Sequence, residues 1–177
     1  SGQSPAPEAR PQSSTETILI IDFGSQYSHL IGRRVRELNV YCEIVNHNTS
    51  WDEVSKLNPR GIILSGGPAS VYEKAAPLAP SWVYESNLPV LGICYGMQVI
   101  AHQLGGKVEI SAEREYGHSI LHKNDEASPI FYGLPSTIPV WMSHGDRIIN
   151  MPPGFSSIAY TDNSPVAAMI SNNILGI

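Results

Sequence analysis

The stretch that decides the fold is Leu88-Pro89-Val90-Leu91-Gly92-Ile93-Cys94-Tyr95-Gly96-Met97-Gln98-Val99-Ile100-Ala101. Its first half is a continuous apolar run of buried-strand type, and its second half places Met97, Ile100, Ala101 and Leu104 at helical spacing. Cys94 therefore sits where a strand turns sharply into a helix. This is the G-x-S-x-G elbow layout with sulfur in place of oxygen. Gly92 and Gly96 suit a turn that brings two backbones too close for side chains. Such a turn lifts the thiol clear of the sheet edge. It also aims the first helical N–H groups at whatever the sulfur attacks, and the positive helix end favours the thiolate. Gln98 lies one helical turn after Cys94 and can face the same pocket. A cysteine between glycines is on its own commonly a buried small hydrophobe; the strand before it and the helix after it are what point to chemistry.

Working outward, the same rhythm repeats toward the N-terminus. Thr17-Ile18-Leu19-Ile20-Ile21-Asp22 predicts a buried strand, followed by a turn at Phe23 to Gln26 with Ser25 as N-cap. The next helix carries Leu30, Ile31, Val35 and Leu38 on one stripe. Val40–Val45 predicts a second strand and Trp51–Leu57 a short helix stopped by Asn58-Pro59. Gly61–Leu64 predicts a third strand, running into Ser65-Gly66-Gly67-Pro68, and a helix is expected around Ala79–Ser86. Gly105-Gly106 should cap the elbow helix. Strand alternating with helix predicts an α/β protein with a mostly parallel central sheet flanked by helices, flavodoxin-like. Ligands in such sheets sit beyond the carboxyl ends of the strands, where the turns at Phe23–Tyr27, Ser65–Pro68 and Gly92–Gln98 all fall.

After Gly106 the helical signal fades. Lys107–Ile110, Tyr116–His122, Val140–Ser143, Ser156–Thr161 and Val166–Ile170 read as short strands, which predicts antiparallel additions. Ile174–Ile177 reads as the start of one more. Residues 1–16 contain no large apolar side chain and are expected to form a disordered tail, its Ser-Gly opening being of the kind cloning leaves behind; residues 17–177 form the folded domain.

Composition narrows the function classes. The chain has 177 residues, 11 Lys+Arg against 16 Asp+Glu and a net charge of −5. No basic run exceeds Arg33-Arg34, which argues against nucleic acid and anionic membranes as partners. No apolar run approaches the ~20 residues of a membrane span. Two cysteines, Cys42 and Cys94, make no disulfide framework, so a cytoplasmic setting is expected. Cys42 falls in an alternating strand and reads as structural.

A thiolate nucleophile needs a base, oxyanion donors and substrate contacts. The elbow offers the Tyr95 N–H, and Ser65-Gly66-Gly67-Pro68 can aim a second N–H into the pocket. Of the six histidines, His29 and His102 lie on helices and read as packing or surface residues. His118 and His122 have nothing acidic placed to orient them beyond the run at Glu113–Glu115. His144, in Trp141-Met142-Ser143-His144-Gly145-Asp146, reads either as base with Asp146 as its orienter or as part of a loop that binds substrate through its backbone.

Together, Asp22-Phe23-Gly24-Ser25-Gln26-Tyr27, Ser65–Pro68, Gly92–Gln98, Glu113-Arg114-Glu115-Tyr116-Gly117 and Trp141–Asp146 resemble the class I, triad-type glutamine amidotransferases, specifically the glutaminase-domain family of GMP synthetases. The resemblance runs from about Ile18 to Ile177. It implies that Cys94 attacks the side-chain amide of glutamine, giving a thioester and ammonia for GMP synthesis from XMP. It implies an oxyanion hole from the Tyr95 and Gly67 N–H groups and glutamine contacts from Gln98, Ser143, Gly145 and Asp146. By the same resemblance His144 belongs to the glutamine loop, and Glu113–Glu115 lies near a synthetase (ATP-pyrophosphatase) partner domain. No cofactor or metal is expected in this domain, ATP and Mg belonging to the synthetase half. The family's base and its carboxylate lie in a Phe-His-Pro-Glu segment just after the strand that Ile174 begins, beyond these residues, so the chain alone is expected to turn over poorly. Loss of the base in a triad costs ~10⁴-fold or more. Two other readings stand beside this one: a DJ-1-like cysteine hydrolase, and a fragment that binds glutamine or a partner without turnover.

Overall fold

The computed structural model describes residues 16–68, 70–124 and 129–177, apart from the side chains of 111–116, 129 and 141–145. The expected tail at 1–16 lies outside the described residues but for Glu16. The elements are β1 (Thr17–Asp22), α1 (Tyr27–Glu37), β2 (Tyr41–Asn46), α2 (Trp51–Ser55), β3 (Pro59–Leu64), α3 (Trp82–Glu85), β4 (Val90–Gly92), α4 (Tyr95–Gln103), β5 (Lys107–Lys123), β6 (Thr137–Asn150), β7 (Ser156–Thr161), β8 (Ser164–Ser171) and β9 (Ile174–Gly176), with a 3₁₀ turn at Pro129–Phe131.

All nine strands join one sheet in the order β2-β1-β3-β4-β9-β8-β7-β5-β6. The first five are mutually parallel. From β9 outward the pairing turns antiparallel. The last strand in sequence therefore lies mid-sheet, between β4 and β8.

Alternation along each strand sorts the apolar residues onto two faces. Leu19, Ile21, Leu64 and Val90 face Val54 of α2, Val83 of α3 and Met97, Val99 and Ile100 of α4 in the main core. Ile20 and Ile44 face α1, where Gly32 lets the helix approach: a Cβ there would lie 3.5 Å from the Ile44 side chain. This split follows from crossover handedness. The chain moves one way across the sheet from β1 to β2 and the other way from β2 to β3 to β4, so right-handed crossovers put α1 and the later helices on opposite faces. On the α1 side, Ile18, Ile63, Leu91, Ile170 and Leu175 line a groove of about 520 Å³ between Val35 and Ile130.

Several details differ from expectation. The helix expected at 79–86 shrinks to Trp82–Glu85, because Pro80 restricts its start. The elbow strand is only three residues long. Segments expected as separate short strands fuse into the long β5 and β6. Their pairing shifts register twice, between Lys107 and Val108 and, over a longer gap, between Ile110 and Glu115, opposite Asp146 and His144. Trp141–Asp146 is thus an interrupted stretch inside a long ribbon, where a strand-ending turn had been expected. Gly105, at φ +96°, ends α4 in the left-handed conformation that glycine allows.

Candidate active site

Cys94 is the N-cap residue of α4 and takes φ 55°, ψ −111°. A side-chain-bearing residue enters that region only when its surroundings force it to. The forcing contacts are identifiable. The Ile93 N–H donates to the Leu64 carbonyl at 2.9 Å, and the Cys94 N–H donates to the Ile177 carbonyl at 2.9 Å. In return the Ile177 N–H donates to Gly92 O at 2.8 Å. The elbow is therefore clamped between β3 and the end of β9. Its glycines are sterically required. A Cβ on Gly92 would lie 2.5 Å from Ile100 Cδ1 and 2.8 Å from the Gly96 carbonyl, and one on Gly96 would lie 2.2 Å from Leu64 O.

The Cys94 side chain is exposed to solvent while Cys42 is buried. Even so, burial of the thiol by the walls around it raises its pKa above the ordinary value, with no charged side chain moving it the other way. This desolvation opposes the pull of the α4 N-terminus toward thiolate expected from the sequence.

Tyr95 opens α4, and its N–H belongs to the first turn, where a helix has no internal partner. Among the described residues no hydrogen bond engages the N–H of Tyr95 or that of Gly67. The two residues touch: a Cβ on Gly67 would lie 2.6 Å from Tyr95 Cδ1 and 2.9 Å from Phe23 Cβ. The Tyr95 ring meets Phe23 edge-on, with centroids 5.4 Å apart and planes at 69°. Its hydroxyl donates to the Pro77 carbonyl at 2.7 Å. Burial, helped by the negative charge of Glu73, pushes its pKa to about 12.

The Ser65–Pro68 turn is tied to the first turn of the chain. Ser65 Oγ donates to Ile21 O at 2.8 Å, and Ser28 Oγ, 2.8 Å from Asp22 Oδ1 and 3.1 Å from Ser65 Oγ, has one proton to give to one or the other. Ser25 Oγ donates to Gly66 O at 3.0 Å and accepts from the Tyr27 N–H at 3.2 Å. Ser25 thus bonds into the first turn of α1, although the cap position itself is Gln26. Three turns expected to meet beyond the strand ends do meet.

Gln98 is buried one turn along α4, and its Oε1 has no hydrogen-bond partner among the described residues. Asp146 is buried too. It lies two residues from Ile148 on β6 and so points to the same side, where Ile148 joins the core containing α4. The side chains of Ser143 and His144, and of Glu113, Arg114 and Glu115, lie outside the described residues, and Gly145 has none. Among those that are described, no group of three or more His, Cys, Asp or Glu converges as a metal site would require, and no helix is long and apolar enough to cross a membrane.

Sequence reasoning missed the side chains behind the donors: the Tyr95 ring and hydroxyl, Phe23, Tyr27 against Gly66, and the Asp22–Ser28–Ser65 chain of hydrogen bonds. The available signal was the pair of glycines at 66 and 67, since adjacent glycines mark either a positive φ or close neighbours, and the structure shows the close neighbours.

The fold and the elbow define an α/β protein with a cysteine at a strand-to-helix turn. Residues 19–177 match the family model for class-I glutamine amidotransferases, and the chain belongs to that family. It is 62% identical over 158 residues to the glutamine-hydrolysing GMP synthase of Dehalococcoides mccartyi strain 195, covering 89% of this chain and 30% of that protein. It is 55% identical over 164 residues to the corresponding GMP synthase of Thermomicrobium roseum, covering 93% and 31%. The chain thus spans about a third of the length of these relatives. The crystal structure of a Thermoplasma acidophilum protein, provisionally assigned to a GMP synthase as one of its subunits, superposes with a TM-score of 0.81 at 32% identity, covering 92% of this chain and 82% of the other.

Proposed function

We propose that this chain is the glutamine-hydrolysing part of a GMP synthase. Cys94 Sγ attacks the side-chain carbonyl carbon of glutamine, the C–N bond breaks, and the departing nitrogen takes a proton and leaves as ammonia. Water then attacks the γ-glutamyl thioester, releasing glutamate and restoring the thiol. The Tyr95 and Gly67 N–H groups stabilise the oxyanion in both steps. Gln98 and Asp146 contact the substrate, with Ser143 and Gly145 in the same loop as Asp146. Ammonia passes to a synthetase domain that uses ATP and Mg to aminate XMP, in the cytoplasm.

The observation that carries this reading is the backbone of Cys94, φ 55° and ψ −111°, beside two N–H groups that nothing else among the described residues engages. Mechanism also dictates a requirement. A thiol raised by burial needs a base to form thiolate near neutral pH, and no charged side chain among the described residues acts on it.

The test is alkylation by the γ-chloroketone analogue of glutamine, read by intact mass and peptide mapping. Labelling at Cys94, slowed by added glutamine and not by asparagine, is the expected result. Labelling at Cys42, or at Cys94 without protection, overturns the glutaminase assignment, the latter pointing to a cysteine hydrolase of another kind. Calorimetry on Cys94→Ala with glutamine then separates binding from turnover.

A further inference from the structure

The side chain of Tyr95 bridges two separate segments of the chain, the 65–68 turn and the carbonyl of Pro77. It is 3% exposed, and both ends are fixed. At the hydroxyl end it donates to Pro77 O. Pro77 lies in the segment 70–80, which is itself anchored. Ala79 exchanges hydrogen bonds with Gln103 (N–H to Oε1 at 3.1 Å, O from Nε2 at 3.0 Å), and Gln103 Oε1 also accepts from Tyr84 Oη at 2.8 Å. Tyr72 Oη donates to Val108 O at 2.7 Å. At the ring end, Cδ1 and Cγ lie against the α-carbon of Gly67, closer than a Cβ could tolerate, and Phe23 closes the other side.

We propose that the Tyr95 side chain is a positioning residue that sets the spacing between the two oxyanion donors, its own N–H and that of Gly67, by wedging between the 65–68 turn and the tethered carbonyl of Pro77. This rests on the glutaminase reading above. The two donors belong to different turns, and no backbone hydrogen bond joins Gly67 to Tyr95. The Leu64 carbonyl ties the elbow to the strand before the 65–68 turn, and the ring is the side-chain contact that sets Gly67 itself against Tyr95. Loss of the hydroxyl frees the ring to tilt, and loss of the ring lets the 65–68 turn move inward. Misplacement by ~1 Å costs on the order of 10²-fold in such sites, and a lost oxyanion donor costs ~10²–10³-fold.

Two electrophiles distinguish this role from simple core filling. Both form an S–C bond at Cys94 with release of halide, the thiol proton going to solvent. The glutamine chloroketone presents a carbonyl to the oxyanion donors; iodoacetamide, reacting by direct displacement, does not need them. For Tyr95→Phe the chloroketone rate is expected to fall several-fold, and for Tyr95→Leu about 100-fold. Iodoacetamide rates should stay within about twofold of the unmodified chain at the same pH. Equal losses with both probes, or no loss with either, overturn the proposal. If the unmodified chain shows neither glutamine protection nor any preference for the chloroketone, the glutaminase reading fails first, and the positioning role with it. Should Tyr95→Leu fail to fold by circular dichroism, Tyr95→Phe, which keeps the ring, decides the matter.

Discussion

The α-carbon of Gly96 lies directly against the carbonyl oxygen of Leu64: a Cβ would sit 2.2 Å from that oxygen and 2.8 Å from the Leu64 carbonyl carbon. The same oxygen accepts the Ile93 N–H at 2.9 Å. One carbonyl on β3 therefore fixes the elbow on both sides of Cys94. It cannot move away from a new methyl group without breaking that hydrogen bond.

Gly96→Ala should accordingly destabilise the fold well beyond a helix-propensity change, which by itself would favour alanine by about 1 kcal/mol. Overpacking costs ~1–3 kcal/mol, and a 2.2 Å approach to a backbone oxygen held by a hydrogen bond puts this site at the top of that range, so net of the propensity gain the melting temperature is expected to fall by about 4–8 °C for a domain of this size. Gly24→Ala provides the contrast. Gly24 sits at φ +91° with nothing within 4 Å of its would-be Cβ, so only backbone strain of ~1–2 kcal/mol is at stake. Differential scanning calorimetry of the two variants should rank Gly96→Ala as the more harmful.

A second expectation concerns the hydroxyl chain under the 65–68 turn. Ser28 and Ser65 are both fully buried, and they hydrogen-bond to each other at 3.1 Å. Each also has a second partner, Asp22 for Ser28 and Ile21 O for Ser65. Removing either hydroxyl takes a contact from the other, while Ile21 O keeps the Ser65 N–H and Asp22 Oδ1 keeps the Gly24 N–H, so each loss costs about 0.5–1.5 kcal/mol. The contact between the two hydroxyls is lost whichever is removed, so removing both costs less than the sum. Urea denaturation of Ser28→Ala, Ser65→Ala and the double variant should show a coupling energy of at least ~0.5 kcal/mol; strictly additive losses would show that the two hydroxyls act independently.

Much of this architecture was legible in the residues. Thr17–Asp22 reads as a strand because its apolar run is continuous, which only a strand covered on both faces requires, and β1 has those bounds. Gly92 and Gly96 announced the elbow because nothing but glycine fits where two backbones touch. What could not be read depends on long-range pairing. Ile174–Gly176 is a recognisable strand, but its insertion between β4 and β8 involves partners about 85 and 5 residues away that its own pattern does not encode. Gly145 and Asp146 look like a turn locally, yet they lie within β6, because β5 pairs on both sides of the interruption, Ile110 with Asp146 and Glu115 with His144. The Tyr95 ring was invisible for the same reason: its partners, Gly67 and Pro77, are assembled only in three dimensions.

The raised thiol of Cys94 gives a pH prediction with a definite sign. Burial disfavours thiolate in the folded chain, so between the unfolded and folded pKa values the native state binds more protons than the unfolded state. Stability then falls as pH rises. The loss begins near the ordinary thiol range, about pH 8.5, and grows through more alkaline pH; Cys94→Ser should remove this component. Alkylation by iodoacetamide at pH 7 should be slower than for an unperturbed thiol, and its rate should keep rising above pH 9. A plateau below pH 7 would mean that a cation outside the described residues holds Cys94 as thiolate.

Gln98 separates stability from function. Its side chain is buried, and its Oε1 meets no donor among the described residues. An unsatisfied buried carbonyl costs ~1–3 kcal/mol, which a site retained only for packing would not keep. Gln98→Met has nearly the same shape and no polar atom to satisfy. The free chain should be unchanged or stabilised by about 1 kcal/mol, raising the melting temperature by a few degrees. Glutamine binding, measured by calorimetry in the Cys94→Ala background, should weaken about tenfold or more, because a hydrogen bond to a buried amide is lost from the complex alone. If Gln98→Met destabilises the free chain and leaves affinity untouched, the amide is satisfied within the protein and the glutamine contact assigned to it is wrong.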